Sequence, residues 1–169
     1  AKWDGTDWSA LGSGLSGFVY SLAVSGTTLY AGGDFSTADV NPANNIARWD
    51  GSAWTALGSG MNYPVFSLAL SGTDLFAGGE FTRAGGTGAI HIARWNGNAW
   101  SPLGSGMNDF GYVTALAVSG PDLYAGGSFY MAGGTEANYV AKWNGNAWSP
   151  LGSGTYTSVN ALAVMGTDL

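Results

Sequence analysis

Apolar and polar positions alternate one by one along "VFSLALSG", which begins at Val65. Alternation of this period puts successive side chains on opposite faces of a strand, so Val65, Ser67 and Ala69 are expected on one face and Phe66, Leu68 and Leu70 on the other. The pattern returns as "VYSLAVSG" from Val19, "VTALAVSG" from Val113 and "VNALAVMG" from Val159. Each copy predicts a first strand, and its small side chains suit a crowded position. A second strand follows in "DLFAGGEF" from Asp74, "TLYAGGDF" from Thr28 and "DLYAGGSF" from Asp122. "IARWD" from Ile46 predicts a third strand and "AWTALG" from Ala53 a fourth. Gly72-Thr73 and its equivalents join the first two strands. Asp50-Gly51 and Asn96-Gly97 join the last two, as tight hairpins that need positive φ. There is no 3.6-residue apolar stripe and no long glycine-free window, so no helix is expected.

The four-strand pattern repeats. Trp3, Trp49, Trp95 and Trp143 occupy equivalent positions, 46, 46 and 48 residues apart. The repeat units are 1–46, 47–92, 93–140 and 141–169, the last one truncated. A four-stranded unit of this size cannot bury both faces alone. Stacking such sheets around an axis buries them, which predicts an all-β β-propeller with blades of about 46 residues. The expected assembly is an incomplete part of a larger ring, with a four-bladed ring or a β-trefoil as alternatives. The 169 residues are accordingly expected to be a segment of a longer chain, or to close only with another copy.

"LYAGG" at Leu29 and Leu123, and "LFAGG" at Leu75, resemble the apolar strand and glycine doublet of kelch repeats. The pair Trp95 and Trp100 resembles their paired aromatics. The string "ARWNGNAWSPLGSGM" from Ala93 is more similar still to repeats of the fungal cortical cell-polarity marker proteins and of uncharacterised bacterial secreted proteins. The resemblance covers the whole chain and implies a propeller with a binding or positional role.

Composition narrows the function. The net charge is −6 with only five basic residues, and 9% of residues are charged. That argues against nucleic acid as a partner, since phosphates must be neutralised by Lys and Arg. No apolar run approaches the ~20 residues of a membrane-spanning helix, so no membrane insertion is expected. Cysteine is absent, which removes disulfides and thiolate ligands. None of the eleven asparagines lies in a glycosylation sequon. These features point to an extracellular or cell-surface protein, bacterial in origin.

Candidate chemistry is sparse. A copper site like that of the kelch-type oxidases resembles a His, Tyr and Cys constellation, and this chain has a single histidine, His91. The eleven acids are scattered along the repeats, whereas glycosidase chemistry needs a carboxylate pair about 5 or ~6.5–9.5 Å apart. No cofactor and no metal are expected, and the chain is read as non-enzymatic. Lys2, Arg48, Arg94 and Lys142 precede the first Trp of each pair. They form either a cationic ring or, more simply, a repeated bond to an acid or carbonyl on the second strand. The eight tryptophans recur with the architecture and are read as scaffold, with Trp49, Trp95 and Trp143 expected to be mostly buried.

Function is expected where the repeats differ. The connections 37–45, 83–91 and 131–139, with 61–64, 107–112 and 155–158, change from unit to unit and share one end of the sheets. Loops on a rigid scaffold commonly carry binding. The expected ligand contacts are Tyr63, Arg83, Phe110, Tyr112, Met131, Glu136 and Tyr139. The expected function is a binding or adhesion scaffold for a protein or glycan. The alternative is a purely structural segment of a larger surface or fibrous assembly, with further blades of the same chain or another copy as partner. An enzyme is a distant third reading.

Overall fold

The computed structural model describes residues 1–108, 110–166 and 168–169. Asp109, in the 107–112 connection, and Thr167, in the last repeat, lie outside the described residues. The described chain is all-β. It opens with a two-stranded hairpin, β1 (Lys2–Trp3) and β2 (Trp8–Ser9). Next come β3 (Phe18–Ser25) and β4 (Thr28–Asp34), a short ribbon of β5 (Thr37–Ala38) and β6 (Asn41–Pro42), then β7 (Ile46–Trp49) and β8 (Trp54–Ala56). The run recurs as β9 (Val65–Ser71), β10 (Asp74–Gly79), β11 (Arg83–Ala84), β12 (Thr87–Gly88), β13 (Ile92–Trp95) and β14 (Trp100–Pro102). It recurs again as β15 (Tyr112–Ser119), β16 (Asp122–Ser128), β17 (Met131–Ala132), β18 (Thr135–Glu136), β19 (Val140–Trp143) and β20 (Trp148–Pro150). Three four-stranded antiparallel sheets result, ordered β3-β4-β7-β8, β9-β10-β13-β14 and β15-β16-β19-β20.

Three local expectations are corrected. The strand expected from Val159 belongs to no sheet among the described residues; the segment carries only an isolated bridge between Met165 and Asp168. Alternation prepares a strand, but a ladder partner makes one. Second, Val65 does not face with Ser67. Gly78 pairs with Ser67 and Gly79 with Val65, so Phe66 is an extra, bulged residue. A bulge of this kind offsets the side-chain alternation, and Val65 turns to the same face as Leu68. Tyr20 and Thr114 sit in the same bulge of the other two sheets. Third, the Asp-Gly and Asn-Gly hairpins are not two-residue turns. Trp49 pairs with Trp54 across four residues, and only Gly51 among them has positive φ, at 105°.

The acid of that loop is a cap. Asp50 Oδ1 accepts from the Ser52 and Ala53 N–H groups at 2.8 and 2.9 Å. Asn96 Oδ1 accepts from Asn98 and Ala99 at 3.0 and 2.9 Å. An amide oxygen and a carboxylate oxygen do the same work here, which is why the repeats exchange them.

Adjacent sheets pack face to face with their first strands side by side. Gly32 of β4 lies so close to Val65 and Leu68 that an added Cβ would meet Val65 Cγ1 at 2.6 Å. Gly78 stands in the same relation to Val113 and Leu116 of the third sheet. The first glycine of the doublet is therefore a docking surface for the next sheet, while the second, Gly33 or Gly79, lies against the backbone of its own first strand. Further out, the second Trp of the pair in each of the three sheets donates Nε1–H to a leucine carbonyl of the preceding unit: Trp54 to Leu11, Trp100 to Leu57 and Trp148 to Leu103, each at 2.9 Å. The cores sit between the sheets, with Ile46, Leu57, Val65, Leu68, Trp95 and Trp100 together in one of them.

Candidate functional site

The two ends of the sheets differ. The β3–β4, β9–β10 and β15–β16 hairpins share one end with the Asp- or Asn-capped loops, and that end is nearly uniform. The opposite end holds the β4–β7 and β8–β9 connections and their equivalents. There the expected variable loops prove partly regular. Each carries a two-stranded ribbon: β5-β6, β11-β12 or β17-β18. The "LGSGM" string is clamped beneath it. The Gly85 N–H donates to the Gly60 carbonyl at 2.8 Å, the Met61 N–H to the Asn44 carbonyl at 3.0 Å, and Met61 bridges Ala84.

All seven expected contact residues lie at this end, but they do not form one pocket. Tyr63 and Phe110 are exposed in the connections before β9 and β15. Arg83 is exposed on β11, with Nη1 donating to the Gly86 carbonyl at 3.3 Å. Met131 is exposed on β17, its N–H donating to Asn108 Oδ1 at 3.1 Å. Glu136 on β18 accepts from Asn138 Nδ2 at 3.2 Å. The Tyr139 ring lies 5.0 Å from that of Tyr130, and a hydrogen bond with Tyr130 raises its hydroxyl pKa. Tyr112 alone joins a larger group.

That group is an aromatic row that the sequence reading missed. Phe18 stacks on Tyr20 with ring centroids 6.3 Å apart. Tyr20 meets Phe66 edge to face at 5.6 Å, and Phe66 meets Tyr112 edge to face at 6.0 Å. The rings come from the openings of β3, β9 and β15, so they cross three sheets. Phe18, Tyr20 and Tyr112 are exposed. The available signal was positional: Tyr20 and Phe66 are equivalent residues, and both are bulged. Edge-to-face aromatic pairs at these separations are favourable beyond their burial.

A cavity of about 620 Å³ adjoins the row between the first two sheets, lined by Ser16, Asp34, Ser36, Asn44, Asn62 and Arg83 among others. Phe18 of the aromatic row is the register partner of Asp34 on its wall. Several lining groups are committed to the scaffold. Asn62 Oδ1 accepts from the Thr82 and Arg83 N–H groups at 3.0 and 2.8 Å. Ser16 Oγ accepts from Ser36 and Thr37 at 3.1 and 3.0 Å. Asp34 and Arg83 bring opposite charges to the cavity lining. The site thus offers flat apolar rings beside a polar recess, which suits an uncharged, hydroxyl-rich or amide-rich ligand.

Other candidates resolve as scaffold. His91 is buried, with φ of 64°, and Asn45 and Tyr139 take the same left-handed conformation at the equivalent position. The backbones of all three bond alike; the His91 N–H donates to the Phe81 carbonyl at 2.8 Å, and its carbonyl accepts from Gly79 at 3.0 Å. Arg94 approaches Asp74 at 3.6 Å and Lys142 approaches Asp122 at 3.3 Å. The unit with Thr28 at that position instead has Arg48 Nε donating to Thr55 Oγ1 at 3.1 Å. Arg48, Arg94 and Lys142 therefore bond within their own sheets. Trp54, Trp95, Trp100 and Trp148 are buried, and Trp49 and Trp143 are partly so. Among the described residues, no three His, Asp or Glu side chains converge.

No protein-family description and no curated protein matches the chain. Among solved structures it is similar to the computationally designed Ika4 protein, with a TM-score of 0.64 and 16% identity over 94% of this chain and 88% of that one. It is also similar to the computationally designed Ika8 protein, with a TM-score of 0.58 and 18% identity over 89% of this chain and 42% of that one. At these identities the likeness concerns the fold alone.

Proposed function

We propose that this chain is a non-catalytic binding scaffold of kelch-like β-propeller type, made of blades of about 46 residues, that takes a glycan or an extracellular protein at its variable end. The observation that carries the reading is the row Phe18, Tyr20, Phe66 and Tyr112, continuous across three sheets, with Phe18, Tyr20 and Tyr112 exposed and Phe66 half-buried. Tyrosine and phenylalanine supply large contact area at low conformational cost, and they are enriched where proteins meet ligands and partners. The face-to-face stacking of four-stranded sheets, first strands inward, supports the propeller. The similarity of the repeats to those of secreted proteins supports a place outside the cell or on its surface. Scattered acids and a single histidine tied into the strand backbone favour binding over catalysis.

The test is a binding screen against neutral glycans and extracellular proteins, followed by titration of any ligand found. Tyr20→Ala combined with Tyr112→Ala is expected to abolish binding, and Asp50→Asn at the opposite end to leave it intact. Binding that survives the first variant and is lost in the second would overturn the proposal, as would the absence of any ligand in the screen.

A further inference from the structure

The Asp- and Asn-capped loops share one set of three bonds. The N–H of the capping residue donates to the carbonyl three residues on: Asp50 to Ala53 at 3.3 Å, Asn96 to Ala99 at 3.3 Å and Asn144 to Ala147 at 3.2 Å. The side-chain oxygen of the cap accepts two backbone N–H groups in return. For Asn96 Oδ1 the donors are Asn98 and Ala99, at 3.0 and 2.9 Å. For Asn144 Oδ1 they are Asn146 and Ala147, at 3.0 and 2.9 Å. Where the cap is an acid, the same donors hold a full negative charge: the Ala53 and Ser52 N–H groups, with the Ser52 hydroxyl, lower the Asp50 carboxyl to about 2. Each loop thus aims fixed donors at one oxygen.

In two of these loops that oxygen belongs to an amide followed by glycine. Asn96-Gly97 and Asn144-Gly145 are the two Asn-Gly pairs of the sequence. Both residues of each pair are exposed, and both glycines have φ of 94°. Among the described residues neither glycine gives its N–H to a protein acceptor. With no side chain on the glycine, nothing hinders attack of its nitrogen on the asparagine Cγ. As that bond forms, negative charge develops on Oδ1, where the two donors already point. Fixed N–H groups at this separation from a developing oxyanion speed acyl transfer.

We propose that Asn96 and Asn144 are sites of intramolecular deamidation, and that the folded loop directs the product to aspartate. The Gly97 nitrogen bonds to Asn96 Cγ and gives its proton to water. The Cγ–Nδ2 bond breaks, and the nitrogen takes up a proton from water and leaves as ammonia. The product is a five-membered succinimide, and water then adds to one of its two carbonyl carbons. Addition at Cγ breaks the bond from Cγ to the Gly97 nitrogen and leaves aspartate in an ordinary backbone. Addition at the main-chain carbonyl carbon breaks its bond to that same nitrogen and leaves isoaspartate, with the chain rerouted through the side chain. The Asn98 and Ala99 N–H groups favour the first route, because they polarise the Cγ carbonyl and stabilise the charge that the water's attack places on Oδ1. The product also fits the loop. Aspartate at 96 takes the place that Asp50 holds in the unit before, whereas the extra backbone methylene of isoaspartate moves the N–H groups off the oxygen. Asn144 reacts in the same way through Gly145. Conversion of both adds two negative charges to a formal net charge of −6. The loops lie at the end opposite the aromatic row, so the reaction does not depend on the ligand proposed above.

Peptide mapping of the 169-residue chain tests this. One sample is held folded in mildly alkaline buffer and a parallel sample is held unfolded in guanidinium chloride. Both are then digested in acid, and electron-transfer fragmentation separates aspartate from isoaspartate. The folded chain is expected to convert at Asn96 and Asn144. Asn98 and Asn146, exposed in the same loops but followed by alanine, are expected to stay amides. The ratio of aspartate to isoaspartate at both sites is expected to be at least ~10-fold higher in the folded chain than in the unfolded one, a modest share of what a well-aimed oxyanion donor supplies. An absence of conversion at Asn96 and Asn144 in the folded chain overturns the proposal. So does a product ratio that rises by less than that on folding, or conversion of Asn98 or Asn146 at a comparable rate.

Discussion

Trp100 donates its indole N–H to the carbonyl of Leu57, 43 residues earlier, at 2.9 Å. The bond joins the second sheet to the end of the first and recurs at both other junctions. Both partners are buried. Trp100→Phe keeps an aromatic ring but orphans the carbonyl, and is expected to cost about 1–3 kcal/mol. Trp100→Ala, like Trp95→Ala, is expected to cost about 3–5 kcal/mol as a large-to-small core change. Urea unfolding of the three variants checks the order; equal stability of all three with the parent would remove the tryptophans from the scaffold.

The glycine doublet predicts a coupled pair. Gly78→Ala forces a methyl against Val113, and is expected to destabilise by about 1–3 kcal/mol through overpacking. Val113→Ala alone leaves a gap. The double variant is expected to be more stable than the sum of the two single costs implies, and a double-mutant cycle measures the difference. Strict additivity would mean that the two residues do not touch.

The capped hairpins predict a local pH dependence. Hydrogen bonds from the Ala53 and Ser52 N–H groups lower the Asp50 carboxyl from its ordinary 3.8 to about 2, and Asp7 and Thr6 do the same for Asp4. A depressed folded pKa gives stability that is present above the unfolded value and lost as pH falls through the folded one. The Asp4 and Asp50 loops should therefore loosen between roughly pH 4 and 2, while the Asn96 and Asn144 loops do not respond. Asp50→Asn is expected to fold normally and to abolish the response at its own loop. Amide shifts of Ser52 and Ala53 followed by NMR across this range report the outcome.

The ion pairs are expected to matter little. Arg94 and Asp74 are both partly exposed, and Arg94→Ala should change stability by under about 1 kcal/mol. Thr28→Asp gives Arg48 the acid that Arg94 and Lys142 already face, and should stabilise within the same small range. A large loss of ligand binding in Arg94→Ala would instead restore these cations to a functional role.

The sequence by itself determined what depends on near neighbours along the chain. Strand alternation, the four-strand repeat, the turn positions and the interchange of Asp50 with Asn96 are local. Each is fixed by backbone sterics or by a hydrogen bond reaching two or three residues. The sequence also located the end at which the repeats diverge, and all seven expected contacts lie there. Tertiary structure decided what depends on a partner. Val65 faces the preceding sheet because a bulge at Phe66 displaces the alternation, and the bulge exists only in the ladder with β10. Residues 159–164 have the pattern of β3 but lack its ladder. The aromatic row forms because equivalent positions in separate repeats meet when the sheets stack, which brings Tyr20 to Phe66 across 46 residues. Asn62 and Asn108, which read as variable-loop residues, became clamps because the short ribbon of their own unit, more than 20 residues on, presents N–H groups to them. A repeat pattern carries the contacts within each unit. Which faces are filled, and which stay open, is set by the packing of one unit on the next.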